Sequence, residues 1–481
     1  MEQVYNPYMP LTEYVPDGEP HVFGDRVYVY GSHDRAGGTG FCEDNYVVWS
    51  APVSDLRDWR CEGTSYMKNQ DPSNPDGSHP LYALDCVQGP DGRYYLYYCL
   101  DGLDEIGVAV SDRPAGPFSF YGHVLLGRAA ENAGGAEGQA AAEEKEAQPV
   151  TPDGWIRYME NKMTLFDPGV FVEGERVYLY FGFCRSYVVE LLPDMLTPAG
   201  EPAVLIPNRS QAKGTPYEGH AFFEASSLRK IRGRYYFIYS SELSHELCYA
   251  TGDCPTGPFA YGGVLISNGD IGMNGRTKPV TQIGNTHGSI EIIGENAYVF
   301  YHRQTNATEF SRQACAEKIK ILEDGSIPQV EITSCGLNGE GLIASGSYPA
   351  AIACHLADRT VQEKIDYSDP AMKERVRVTQ ECGQVYIAGI KNRTKIGYKY
   401  FRFMDADLMA AELRGSFFGT LTIAFDENGR QVIGEYEVQV NNAEWDIQLI
   451  PITPSPGTHA LYLYFRGQGT LDMKTLAFFS T

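Results

Sequence analysis

Residues 173–180, which read Glu-Gly-Glu-Arg-Val-Tyr-Leu-Tyr, join a tight glycine turn to a short strand rich in aromatic side chains. Alternating aliphatic and aromatic residues bounded by turn residues are typical of β-strands. This pattern occurs five times, at residues 24–30, 91–98, 173–180, 232–239 and 294–301. The copies lie roughly 60 to 80 residues apart, which leaves room for one four-stranded sheet and its loops in each unit. Five units closing into a ring predict a five-bladed β-propeller, and a large irregular β-sandwich is the alternative.

A second repeat supports equivalent units. Residues 109–118 and 250–259 share the pattern Ala-x-x-Asp-x-Pro-x-Gly-Pro-Phe. Both copies stand in the same place after an aromatic strand, so the two units are expected to have the same fold.

The aromatic repeat ends near residue 328, and short alternating strands resume after about residue 375 at the spacing of a β-sandwich. The chain is therefore predicted to be all-β, with a propeller domain at residues 1–330 and a C-terminal β-sandwich at 331–481. Residues 127–150 are rich in Ala, Glu and Gly and poor in aromatic residues. This composition predicts a mobile surface insertion.

Composition and charge exclude several classes of protein. The chain has 481 residues, 43% of them hydrophobic, and 39 basic against 62 acidic residues give a net charge of −23. The hydrophobic content excludes global disorder, and the charge argues against nucleic acid or an anionic membrane as a partner. The 11 cysteines include no Cys-x-x-Cys pair, and the first residues resemble no signal peptide. Both features predict a cytoplasmic protein with reduced thiols, while the oligomeric state stays open.

Three acidic residues stand in corresponding places in the repeats. Asp17 lies in Val-Pro-Asp-Gly, Asp167 in Phe-Asp-Pro-Gly and Glu224 in Phe-Phe-Glu-Ala, each ahead of an aromatic strand. Any one of them could be a turn cap or an ion-pair partner. Three on separate blades would instead meet at one end of the central channel, as hydrolysis of a glycosidic bond requires. Burial beside phenylalanines would favour the protonated form of Glu224 and its use as the acid, with Glu218 as the rival.

These motifs, in this order and with Gly-Asn-Thr-His-Gly-Ser at 284–289, resemble glycoside hydrolase family 43 over about residues 5–330. The family includes β-xylosidases, α-L-arabinofuranosidases and arabinanases. The resemblance implies that Asp17 is the general base, that Asp167 orients and tunes the acid, and that Glu224 is the general acid. It also implies inversion by direct attack of water, for which the acid and base carboxyl groups must lie roughly 6.5–9.5 Å apart.

The same resemblance implies further site residues. His287 would face the channel and hold a largely hydrated calcium ion, with an ordered water cluster as the alternative. Arg312, or Arg303 in its place, would contact sugar hydroxyls, and Tyr82 and His21 would line the sugar pocket. No organic cofactor is expected.

The C-terminal region resembles family 6 carbohydrate-binding modules. The resemblance implies sugar binding by exposed aromatic residues such as Trp445 and Tyr400, and bracing of the propeller is the alternative. It rests on residues 386–390, 396–401, 414–415, 459–462 and 467–472.

Together these features predict an inverting exo-glycosidase acting on short plant-derived oligosaccharides, with β-xylosides or α-L-arabinofuranosides as substrates. An endo-arabinanase or a galactofuranosidase on the same fold is the alternative within enzymes. A catalytically silent, lectin-like propeller is the alternative from another class.

Overall fold

The computed structural model describes residues 3–126, 152–358 and 367–481. The predicted insertion at 127–150 lies outside the described residues. No helix in the described part of the chain is long and apolar enough to cross a membrane.

The predicted propeller is confirmed. Four antiparallel sheets of four strands and one sheet of three strands follow each other along the chain. The first two blades comprise β1 (Glu19–Phe23), β2 (Arg26–Tyr30), β3 (Tyr46–Pro52), β4 (Arg60–Tyr66), β5 (Leu81–Gln88), β6 (Tyr94–Leu100), β7 (Ile106–Ser111) and β8 (Ser119–His123). The third and fourth comprise β9 (Gly169–Glu173), β10 (Arg176–Phe181), β11 (Tyr187–Leu191), β12 (Ala203–Val204), β13 (Phe222–Ile231), β14 (Arg234–Ser241), β15 (Glu246–Gly252) and β16 (Ala260–Ser267). The fifth comprises β17 (Ile290–Ile293), β18 (Asn296–Gln304) and β19 (Arg312–Ile319).

Each of the five aromatic repeats forms the second strand of its own blade. The turn in four of them is a two-residue hairpin loop whose glycine has a positive φ: 64° at Gly24, 63° at Gly174, 82° at Gly233 and 63° at Gly294. Such loops need a residue that tolerates the left-handed region, which explains why glycine recurs there.

The ring closes between the first and last blades. Gly18, just ahead of β1, forms a parallel bridge with Gly288, just ahead of β17. The segment preceding the first blade also lies against β19, where the Tyr8 amide donates to the Ala314 carbonyl over 3.2 Å. The residues that lead into the two inner strands are therefore held side by side.

Helices are few in the described residues: α1 (Pro152–Glu160), α2 (Arg209–Ala212) and 3₁₀ turns at Lys68–Gln70, Met273–Gly275, Gly336–Asn338, Ala350–Ile352 and Pro370–Glu374.

The C-terminal region forms a nine-stranded, sandwich-like sheet around its own apolar core. Its strands are β20 (Leu342–Ile343), β21 (Gly346–Pro349), β22 (His355–Ala357), β23 (Arg377–Glu381), β24 (Gln384–Ile390), β25 (Lys395–Phe403), β26 (Leu408–Ala424), β27 (Val432–Pro451) and β28 (Gly457–Phe479). The region contacts the propeller through buried ion pairs, among them Lys399 with Asp270 at 3.0 Å. Charged groups that are paired across a buried contact hold the two parts in one arrangement.

Candidate active site

A cavity of about 840 Å³ opens beside the starts of the inner strands, and Asp17, Asp167 and Glu224 all line it. Its wall also includes aromatic side chains, among them Phe166 and Phe183. The structure therefore brings the three predicted catalytic acids together, as expected if corresponding places on different blades converge.

The local backbone at these acids is unusual. Asp17 has φ 58° and Asp167 has φ 45°, in the left-handed region that residues with a side chain seldom adopt. At Glu224 the register of β13 and β14 shifts on both sides, and the following Ala225 has φ 68°. Bulges re-aim side chains, and backbone strain of this kind concentrates at functional sites.

Asp17 accepts a hydrogen bond from Nη1 of Arg312 at 2.9 Å. Burial would raise the pKa of Asp17, but the charge of Arg312, with that of His287, brings it below its ordinary value. Burial also lowers the pKa of His302 to about 3, so this imidazole is neutral. Its Nε2–H donates to the Asn285 carbonyl at 2.8 Å, and its Nδ1 accepts the Asp17 amide at 3.3 Å. Asp17 is thus held ionised, the state that a general base needs.

Arg312 is itself fixed by a second acid, Asp34. The Arg312 guanidinium donates from Nε to Asp34 Oδ2 at 2.8 Å and from Nη2 to Asp34 Oδ1 at 3.0 Å. Only 2% of Arg312 is exposed, although it lines the cavity beside Cys42. A bidentate pair of this kind fixes a guanidinium strongly. In the structure Arg312 therefore orients Asp17, and its predicted contact with sugar hydroxyls stays a prediction.

Glu224 has the opposite electrostatic setting. Burial, reinforced by the charge of Asp167, raises the pKa of Glu224 to about 8. Asp167 is held next to it, because its Oδ2 accepts the Ala225 amide at 3.2 Å. A carboxyl group that keeps its proton at neutral pH can donate it to a leaving group, and Asp17, whose pKa is lowered, can take a proton up.

His287 lies between two carboxylates. Its Nδ1 is 3.4 Å from Asp167 Oδ2, and its Nε2 is 3.6 Å from Glu19 Oε1. Burial would lower the pKa of His287, but the neighbouring carboxylates Asp167 and Glu19 raise it well above its ordinary value. Among the described residues, the buried Glu19 Oε1 has no hydrogen-bond partner. An orphaned carboxylate oxygen facing an imidazole nitrogen fits a largely hydrated cation, which would compete with a proton for Nε2.

The inner strands carry a polar cluster deeper in the channel. His21 Nε2 lies 2.6 Å from Asp85 Oδ1, and Glu19 Oε2 accepts from Nη2 of Arg229 at 2.8 Å. Glu19, His21 and Asp85 bring their ligand atoms within 4.8 Å of one another, which makes this an acidic group able to hold a cation.

Two predicted substrate contacts lie elsewhere. His21 does not line the cavity, because its ring is held by Asp85 in the channel. Arg303 points to the C-terminal region, where it donates to the carbonyls of Ala351 at 2.7 Å and Ala353 at 2.9 Å. Both side chains therefore have structural partners instead of facing the pocket.

Tyr82 lines the cavity as predicted, with its ring edge-on to Phe166 at 5.8 Å. Glu218, the rival for the general acid, is exposed and accepts the Gly214 amide at 3.0 Å, and it does not line the cavity. The geometry therefore favours Glu224 over Glu218.

Sequence reasoning missed Asp34, His302 and Glu19. Asp34 stands in an ordinary Ser-His-Asp-Arg stretch, and only the return of β19 to the first blade shows that it meets Arg312. Glu19 is two residues beyond Asp17, a weak signal that a second acid lies near the same channel.

Comparisons with known proteins agree with this geometry. Residues 126–327 match the model of glycosyl hydrolases family 43. A curated protein of Thermoclostridium stercorarium named xylosidase/arabinosidase is 44% identical over 491 residues, which span 98% of each chain. A xylosidase/arabinosidase of Bacteroides ovatus is 30% identical and covers 61% of this chain and 87% of its own.

Solved structures show the same fold. A GH43_1 enzyme of Xanthomonas citri complexed with xylose is 24% identical with a TM-score of 0.51, covering 69% of this chain and 94% of its own. An arabinoxylan arabinofuranohydrolase of Bacillus subtilis is 20% identical with a TM-score of 0.50, covering 99% of this chain and 97% of its own. With its full-length relative at 44% identity, the chain belongs to glycoside hydrolase family 43.

Proposed function

We propose that this glycoside hydrolase is an inverting exo-glycosidase that removes β-xylosyl or α-L-arabinofuranosyl units from short plant-derived oligosaccharides. One observation carries the proposal: a carboxyl group whose pKa is raised to about 8 and a carboxylate whose pKa is lowered line the same cavity. Two carboxyl groups with separated pKa values are the acid and base pair of glycoside hydrolysis.

Each side chain has one task in this reaction. Glu224 donates its proton to the glycosidic oxygen as the bond to the anomeric carbon breaks. Asp17 accepts a proton from the water that attacks the anomeric carbon from the opposite face. Burial and the charge of Asp167 keep Glu224 protonated, and Arg312 holds Asp17 in place. After one turnover Asp17 carries the proton and Glu224 has lost one, and exchange with solvent restores both.

The choice of sugar rests on the relatives and on the wall of the cavity. Both curated relatives described above are named xylosidase/arabinosidase. Aromatic side chains such as Tyr82, Phe166 and Phe223 line the cavity and can stack on the apolar faces of a sugar ring.

A panel of nitrophenyl glycosides tests this proposal. We expect turnover of the β-xyloside, the α-L-arabinofuranoside or both, and proton NMR of the first product should show the inverted anomer. The Asp17→Ala variant should lose turnover while keeping affinity for the sugar. A wild-type protein that binds these sugars without cleaving any of them would instead be the lectin-like alternative, and release of the retained anomer would refute inversion.

For the channel, we propose a calcium ion held by His287 Nε2 and Glu19 Oε1, with water supplying the remaining ligands. The unpartnered Glu19 Oε1 supports this choice. A bound cation would supply positive charge that balances the surrounding acids, and no step of the reaction needs to pass through it.

For the C-terminal region, we propose that it braces the propeller. The candidate sugar-stacking residues have partners within the protein: the Tyr400 hydroxyl donates to Glu331, and Trp445 packs on the Arg414 guanidinium at 4.5 Å and on the Lys474 ammonium at 5.1 Å. Affinity gel electrophoresis in xylan and arabinan compares the two alternatives. Retardation that disappears in a Trp445→Ala variant would favour a carbohydrate-binding module.

A further inference from the structure

The cavity wall includes one described residue from beyond the last propeller strand, Tyr367. Its hydroxyl donates a hydrogen bond of 2.6 Å to the Ile283 carbonyl, and its side chain is half-buried. A tyrosine anchored at its hydroxyl presents a large and rigid face at low cost in conformational entropy.

The chain on both sides of Tyr367 contacts the fifth blade or the connection that leads into it. Before it, the Leu356 amide donates to the Val280 carbonyl at 2.9 Å. After it, the Val378 carbonyl accepts from the Asn306 amide at 2.8 Å. Together with the hydrogen bond from Tyr367 to Ile283, they place Tyr367 on the side of the cavity that carries His287.

Tyr367 stands among residues on the fifth-blade side that line the same cavity: Ile283 and Asn285 in the connection leading into β17, and Glu309 between β18 and β19. The second and third blades contribute Tyr82, Ala83, Phe166 and Phe183 to the wall. A polysaccharide that continues past the cleavage site needs a groove open at both ends, whereas a chain end needs only a pocket.

We propose that Tyr367 is a specificity-determining residue that closes the fifth-blade side of the pocket and restricts cleavage to chain ends. This inference rests on the proposed exo-glycosidase function and deepens it. It gives the C-terminal region a role in substrate selection, because that region supplies and fixes the closing side chain.

Four proteins test the inference: the wild type, Tyr367→Ala, Tyr367→Phe and the control Tyr400→Phe. Tyr400 belongs to the same region and also donates through its hydroxyl, to Glu331, but it does not line the cavity. For each protein, kcat/KM is measured on the nitrophenyl glycoside that the wild type prefers and on the matching linear polymer, xylan or arabinan. The sizes of the released sugars are recorded by chromatography.

We expect the ratio of polymer to nitrophenyl kcat/KM to rise about tenfold in Tyr367→Ala, a change typical of altering one group in a pocket. Fragments longer than one sugar should appear together with the monosaccharide. Tyr367→Phe and Tyr400→Phe should stay within about twofold of the wild type, since both keep the ring. Should Tyr367→Ala fail to fold, Tyr367→Leu removes the aromatic reach with less loss of volume, and the same rise in the ratio is expected.

The experiment distinguishes failure of the inference about Tyr367 from failure of the proposed function. If the wild type releases monosaccharide but a folded Tyr367→Ala or Tyr367→Leu protein keeps the wild-type ratio and products, the inference about Tyr367 is overturned and the proposed function stands. If the wild type cleaves no glycoside of the panel, the proposed function fails and the inference fails with it.

Discussion

Replacing Glu224 by Gln removes a titrating group whose pKa is about 8 in the folded protein against an ordinary value of 4.5. In the unfolded chain this group ionises near its ordinary value, so a rise in pH favours the unfolded state. The contribution of Glu224 to the free energy of unfolding is therefore fully present below about pH 4.5 and is lost as pH rises through 8. At about 1.4 kcal/mol per pKa unit, the loss is about 3 kcal/mol at pH 7 and about 5 kcal/mol above pH 8.

The neutral amide of Glu224→Gln does not undergo this loss. The melting temperature of the variant should equal that of the wild type near pH 4 and exceed it by several degrees near pH 8. The matched control is Glu218→Gln, which makes the same chemical change at an exposed glutamate outside the cavity. Its melting temperature should follow the wild type at every pH. A difference for Glu224→Gln that does not change with pH would refute the raised pKa.

The same variant tests the catalytic assignment. Loss of the general acid should lower kcat about 10²- to 10⁴-fold on an oligosaccharide. The loss should be much smaller on a dinitrophenyl glycoside, whose leaving group needs no proton. In the wild type, kcat/KM should fall as pH rises through about 8, and this alkaline limb should be absent from the residual activity of the variant. Equal losses on both substrates would mean that Glu224 acts in another way.

Three further predictions follow from the site. Asp17→Asn should lower kcat about 10²- to 10⁴-fold with little change in KM. Steady-state kinetics on the preferred glycoside measures both constants. A variant with the kcat of the wild type would exclude Asp17 as the base. Arg312→Met should move the acidic limb of kcat/KM to higher pH, since it removes the largest charge that opposes the effect of burial on the pKa of Asp17. Arg312→Lys keeps the charge and should leave the limb nearly in place. Acidic limbs at the same pH in both variants would contradict the pairing of Arg312 with Asp17. Added calcium should raise the melting temperature of the wild type above its value in the presence of a chelator, and it should not raise that of Glu19→Gln. An equal rise in both proteins would refute His287 and Glu19 as the calcium ligands.

Much of the fold follows from local sequence. The aromatic strands after glycine turns are short-range signals. Each one forms the second strand of a blade because the glycine turn pairs it with the strand just before it. Asp17, Asp167 and Glu224 could also be found, since each stands in a local context that marks the start of an inner strand.

The supporting residues could not be found in this way. Asp34 and Arg312 are 278 residues apart, and their pairing depends on ring closure. Arg303 stands near the strand expected to contact the sugar, but strand register directs it to the carbonyls of residues 351 and 353. Tyr367 belongs to a stretch without any strand pattern, so only its contact with Ile283 reveals its place at the pocket.

The bridge between Gly18 and Gly288 has a consequence for the synthesis of the protein. A chain still on the ribosome can form its early blades one after another, but Asp17 meets Arg312 and His302 only once the fifth blade has been made. A fragment that ends before this blade would contain Glu224 and Asp167 and still lack an organised base. Hydrolytic activity should therefore appear in one step during translation, when the first and last blades pair.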